Sequence, residues 1–173
     1  MPLTIKMSLT PESVDEAIRQ LEEYAAWLKE KASRICEKLA WLGYDVAFDI
    51  MLDHIYSGET INSLDVKAIS DTKYEIVAES TALMFLEFGA GLPGVGHPTG
   101  LYGTGTYPGQ THATDPQGWW FPTDDPNLIV YTSPKTGISY GHSHGNPPAM
   151  PMYTATVEIR NNIEQIAREV FAE

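Results

Sequence analysis

Cysteine is all but missing from this chain of 173 residues. Cys36 stands alone, so no intrachain disulfide can hold the fold together; its place in a helical pattern predicts a small, buried side chain. Cations are scarce as well. Eleven Lys and Arg face 23 Asp and Glu, which leaves a formal net charge of −12 and a pI near 4.7. That balance excludes a surface built to wrap nucleic-acid phosphates, since such affinity comes from Lys and Arg displacing counterions. It disfavours anionic membranes for the same reason. No uncharged apolar run approaches membrane-spanning length, and Met1 to Lys6 carries no apolar segment of the secretory type. The motifs of common hydrolases are missing too: there is no HExxH, no paired CxxC and no GxSxG. The expectation is a protein made and kept in a cytoplasm, without a cofactor and without catalytic machinery.

What is present suffices for one globular domain. Hydrophobic residues make up 43% of the chain and charged residues 20%. From Thr10 to about Ile55 the pattern is helical. Thr10 suits a cap and Pro11 the first helical position, with Ser13 and Glu16 offering a second capping box. Apolar residues recur at Val14, Ile18, Leu21, Ala25, Leu28, Ala32, Ile35, Leu39 and Leu42. Steps of four and three alternate without a break, the mark of a heptad seam rather than an ordinary amphipathic stripe. Off the seam lie charges, among them Glu22, Glu23, Lys29, Lys31, Arg34 and Lys38. Gly43 predicts an interruption before a shorter helical piece from Tyr44 to Ile55, in which His54 is expected at the core or its boundary. A helix this long beside so small a domain predicts that the seam packs on a neighbouring subunit, with packing on its own domain as the plainer alternative.

The next stretch, 57–88, reads as a small α+β unit. Leu64 to Ala68 and Tyr74 to Glu79 alternate as half-buried strands do, and Ser70-Asp71-Thr72 makes the turn between them. Ala82 to Leu86 is short enough for helix or strand; Ser80 as a start and Gly89 as a stop favour a short helix. Residues 89–150 differ in kind. They hold nearly all of the chain's 14 glycines and most of its 12 prolines, scattered aromatic residues, and Lys135 as their one cation. Two short strands, Leu128 to Thr132 and Gly137 to Tyr140, are predicted across Ser133 to Thr136; the rest reads as a large loop or arm. A helix from Pro151 to about Phe171 closes the chain, with Met152, Ala155, Ile159, Ile163, Ile166 and Val170 as its apolar stripe. The fold class is therefore α+β: a long N-terminal helix, a small antiparallel sheet, a short helix, a large Gly/Pro/aromatic insertion and a C-terminal helix, all in one domain over residues 1–173.

Few residues invite chemistry. His142 and His144 sit two apart, so a strand points both the same way and they form the best-placed pair for zinc. His97 and His112 lie in the same region, but no third ligand comes at a recognisable spacing, and no metal is expected. Gly100, Gly103, Gly105 and Gly109 lack the lysine of a phosphate loop, and Asp115, Asp124 and Asp125 read as turn formers. Trp119, Trp120, Tyr131 and Tyr140 predict subunit contacts, together with Val14, Ile18, Leu21, Leu28 and Ile35 of the seam.

Three short segments, in order, resemble the gene-ten-like family of siphophage and prophage tail-completion (head–tail joining) proteins. They are Ser57-Gly58-Glu59-Thr60 with Leu64, then Leu86-Glu87-Phe88-Gly89-Ala90, then Asn146-Pro147-Pro148-Ala149-Met150-Pro151-Met152 with Ala155. The matching positions are Gly58, Leu64, Glu87, Phe88, Gly89, Pro148 and Pro151; Ala90 and Met152 depart from the family's Thr and Phe, and residues 91–145 fall outside the resemblance. It implies a structural virion protein, not an enzyme, that forms an oligomeric ring in the neck or at the head-proximal end of the tail, assembled in the host cytoplasm. Its implied partners are copies of itself, the connector or stopper, and the tail-tube or tail-terminator proteins. DNA passes through such a ring without being specifically bound, and an acidic lining suits that passage by like-charge repulsion. Two other functions compete: a metal-dependent hydrolase using the loop histidines, and a carbohydrate- or peptide-binding module using Trp119 and Trp120.

Overall fold

The computed structural model describes residues 4–54, 59–80, 82–90, 117–145 and 148–173. Helix α1 spans Pro11–Asp53, about 65 Å at 1.5 Å per residue. Thr10 caps it in an extended conformation, its hydroxyl accepting from the Ser13 amide, and Pro11 takes the first turn. Of the two starts the sequence offers, the structure uses the earlier. At the other end His54 is exposed, and its Nδ1 lies 2.8 Å from the Ile50 carbonyl, so it belongs to the helix terminus rather than to the core.

Gly43 does not break α1. A methyl group there would come within 2.5 Å of the δ carbons of both Ile159 and Ile76. Glycine is present because three elements converge at that point, and the bare backbone lets them touch. Ala40, Gly43, Ala47 and Met51 form the buried line of the helix's second half, and the small size of the first three allows close helix packing. Opposite runs α4, Pro151–Ala172. Ile159 lies beside Gly43 while the Val170 carbonyl meets the Lys31 ammonium, so α1 and α4 are antiparallel.

Between the long helices in sequence come α2 (Glu59–Asn62), the strands β1 (Asp65–Ser70) and β2 (Lys73–Val77), and α3 (Leu83–Phe88). The two strands form an antiparallel hairpin turned by Asp71 and Thr72, with an irregularity between Ala68 and Ser70. Its inner face lies on α1 and brings Ile76 to Gly43. The expected short helix is there, but Ala82 rather than Ser80 occupies its cap position. Ser80 instead accepts the Ala82 amide and shares a hydroxyl contact of 2.7 Å with Thr60. Gly89, with φ of 73°, ends the helix in a conformation that favours glycine.

The core lies where these pieces meet the C-terminal half of α1. Ala47, Met51, Leu64 and Ala155 are buried together, ringed by Tyr44, Phe48, Ile61, Ile76, Leu83 and Met152. Within the region expected to be mostly loop, a second antiparallel sheet forms in the order β3-β5-β4, from Trp119–Pro122, Ser139–Ser143 and Tyr131–Thr132. The sequence pattern shows two of these strands and misses β3. Phe121 packs where a side chain at Gly141 would stand, and Gly118 turns with φ of 75° against the Ser143 carbonyl. No helix among the described residues is long and apolar enough to cross a membrane.

Candidate functional site

The heptad seam is divided. Over its second half Ala32, Ile35, Leu39 and Leu42 are half-buried, where α4 runs alongside. Over its first half the large side chains stand in solvent: Ile18 is 48% exposed, Leu21 53% and Leu28 38%, Ala25 is exposed, and Val14 is half-buried. The last turn of α4 comes level with Trp27 and Lys31 through the Phe171 ring and the Val170 carbonyl. Residues 11–26 of α1 continue past that point as an overhang of roughly 24 Å. Within it Ala17 is buried, but the larger apolar side chains of the stripe are not.

Cations of α1 fix the C-terminal end of α4. Lys31, expected among the solvent-facing charges, is 5% exposed. Its ammonium donates to the Val170 carbonyl at 2.9 Å and lies 5.9 Å from the centre of the Trp27 ring. A buried ammonium is tolerated there because the open carbonyls of a helix terminus and the π face of an indole both attract positive charge. Arg34 and Lys38 bind the Glu173 carboxylate beside it.

The N-terminal end of α4 is fixed by the positions of the tail-completion resemblance. The two carboxylate oxygens of Glu87 accept the Met152 and Tyr153 amides, each at 2.9 Å. The Leu86 carbonyl accepts the Ala149 and Met150 amides at 2.8 and 3.2 Å. Met150 is held at φ of 55°, a left-handed conformation that costs a non-glycine residue roughly 1–2 kcal/mol. A carboxylate on free amides at the positive end of a helix dipole offsets that cost. Pro151 and Leu64 are buried, and Phe88 and Pro148 half-buried; Gly58 lies outside the described residues. Of these positions Glu87 and Pro151 build the entry to α4, and Leu64 packs in the core with Ala155 of that helix. Replacing Glu87 by alanine is expected to cost about 1–2 kcal/mol in denaturant unfolding; an unchanged midpoint would remove this joint from the account.

The three-stranded sheet carries the second group of expected contact residues. Pairing sets Trp120 opposite His142, and Tyr140 opposite both Pro122 and Tyr131, so these side chains share one face. Trp120 and Tyr131 are more than half exposed, and with Val130 and Tyr140 they bound an open depression of about 520 Å³. Trp119 is the next residue along the strand, so it projects to the opposite face and is half-buried. The two tryptophans therefore do not form a joint platform for a sugar or a peptide. His142 lies between neighbours, its ring centre 4.6 Å from Trp120 and 4.9 Å from His144. Among the described residues no group of three His, Cys, Asp or Glu is arranged to hold a metal ion; His97 and His112 lie outside those residues.

The resolved electrostatic shifts are at the exposed surface. The Lys29 ammonium, 2.6 Å from Asp71, holds that carboxyl below the usual range, while Asp71 raises Lys29. The link between the hairpin turn and α1 is thus complete at neutral pH. It is lost only as acid protonates Asp71 below the ordinary carboxylate range, or as strong base deprotonates Lys29 above the ordinary lysine range. No protein-family model matches this chain, and no curated protein or solved structure matches it.

Proposed function

We propose that this chain is a structural subunit of a tailed bacteriophage, a tail-completion or neck component that assembles into a ring between the head connector and the tail. One observation supports self-association above all: the apolar stripe Ile18, Leu21, Ala25 and Leu28, on a helix that outruns its own domain. Leaving three large aliphatic side chains about half in water forgoes roughly 1 kcal/mol each. A neighbouring subunit recovers that free energy. The face bearing Trp120, Tyr131 and Tyr140 supplies further contact area of the aromatic kind that interfaces favour.

The phage assignment rests on the order of the three short segments and on the shared task of their described residues, which is to seat α4 on the core. The net charge of −12 fits a ring through which DNA slides without adhering. Its partners would be further copies, the connector or stopper, and the tail-tube or tail-terminator proteins, in the virion and during assembly in the host cytoplasm. Negative-stain electron microscopy of the purified chain tests this directly. Closed rings with a central opening are the expected result; single particles of monomer size at all concentrations would refute it.

A further inference from the structure

We infer that the contact between subunits is heterologous: the α1 overhang of one copy lies in the groove that a second copy forms between its own α1, α4 and hairpin. The inference rests on the reading of the chain as a self-associating subunit and adds which surfaces meet. Charge decides the pairing. Residues 11–28 carry Glu12, Asp15, Glu16, Glu22 and Glu23 against the one cation Arg19. Arg19 is already engaged by Glu16 and Glu23 of its own helix. Arg19 and Gln20 hold the Glu16 carboxyl below its usual range, so it stays ionised. Each overhang carries five carboxylates and one guanidinium, a net charge of −4, so two laid together would bring −8 into one contact, which disfavours isologous pairing.

The groove is the better counterpart. It measures about 440 Å³ and is lined by Cys36, Leu39, Ile76, Met152 and Ile159, with Lys73 and Thr156 among its polar residues. Leu39 belongs both to the groove and to the seam, so one seam position already faces the groove. Lys29 falls on the same helix face as Cys36, Ala40 and Gly43 by spacing, which puts a cation at the upper end of the groove. The ammonium groups of Lys29 and Lys73 are exposed, and each has one carboxylate partner, Asp71 at 2.6 Å and Glu75 at 2.9 Å. Each pair is neutral, so the groove meets an acidic overhang without the repulsion of a second overhang, and the three donors of an ammonium let either lysine take a second carboxylate. Overhang and groove are different surfaces of one chain. Each copy therefore gives one contact and receives one, and such contacts build rings when the rotation closes.

The test mixes two full-length variants. Ile18→Gln with Leu21→Gln disables the overhang and leaves the groove; Lys73→Glu with Thr156→Glu places carboxylates at the groove and leaves the overhang. All four positions are exposed, and melting followed by circular dichroism confirms folding, with Lys73→Glu alone as the milder groove variant. Each variant by itself is expected to remain monomeric in sedimentation velocity. An equimolar mixture is expected to give a 1:1 heterodimer and nothing larger. If the wild type assembles but the mixture does not pair, or the groove variant assembles like wild type because the groove serves another ligand, this inference is overturned and self-association stands. If the wild type itself is monomeric throughout, the underlying reading fails, and the inference with it.

Discussion

Changing Ile18 and Leu21 together to glutamine is expected to weaken self-association about 100-fold while leaving the monomer as stable as before. The two side chains are 48% and 53% exposed in the single chain, so the fold loses little when they go. In an interface each contributes the burial it lacks in the monomer together with close packing, about 1.4 kcal/mol, and every 1.4 kcal/mol is tenfold in affinity. Glutamine is a helix former comparable with isoleucine and leucine, so α1 is not penalised. The expected pattern is a dissociation constant raised by two orders of magnitude and a melting midpoint, read on the monomer, within about 2 °C of the wild type. A midpoint that falls steeply would mean that these residues pack within the monomer, contrary to their exposure.

Replacing Met51 by alanine should do the reverse. Met51 is 2% exposed and packs with Ala47, Leu64 and Ala155 where α1, α4 and the hairpin unit meet. Truncating a buried methionine removes its transfer free energy and leaves a cavity, together costing about 2–5 kcal/mol. For a domain of this size that lowers the melting midpoint by on the order of 10 °C. The next residue gives the control: Leu52 is 49% exposed, and Leu52→Ala should shift the midpoint by only a small fraction of that. Equal losses at the two positions would contradict the placement of the core.

The contrast between these two experiments reflects what a sequence can and cannot carry. The long helices were legible because their apolar periods are sustained over many turns, and the hairpin because Val66, Ile76 and their neighbours alternate about a short turn. Gly43 misled because a glycine inside a helical pattern reads as a break, whereas here it is the point where Ile76 and Ile159 close on α1. That reason is tertiary and leaves no local mark. Strand β3 has no local signature, since Trp119 to Pro122 pairs with residues some 20 positions away, and its partner Gly141 gives no alternation to read. Glu87 was visible as a motif position only. Its work, holding the Met152 and Tyr153 amides 65 residues on, depends on α3 and α4 coming together. Lys31 is a similar case: its spacing assigned it to solvent, and the end of α4 buried it.

The seam shows the limit most clearly. Its nine apolar positions were plain in the sequence, and so was their suitability for another helix. Which half would be covered was not, for that depends on how far α4 reaches along α1. Burial sorts the nine into a segment occupied by the chain's own helix and a segment left open. The open segment is the acidic one. Apolar exposure calls for a partner, and the surrounding carboxylates restrict which surface the partner can offer.

Sedimentation velocity of the wild-type chain across a concentration series, from below 1 µM to about 100 µM, shows whether this chain associates with itself. The 19.1 kDa monomer is expected to give way to a discrete oligomer as concentration rises, at a concentration set by the stripe from Val14 to Leu28. A single 19.1 kDa species over the whole range would contradict self-association.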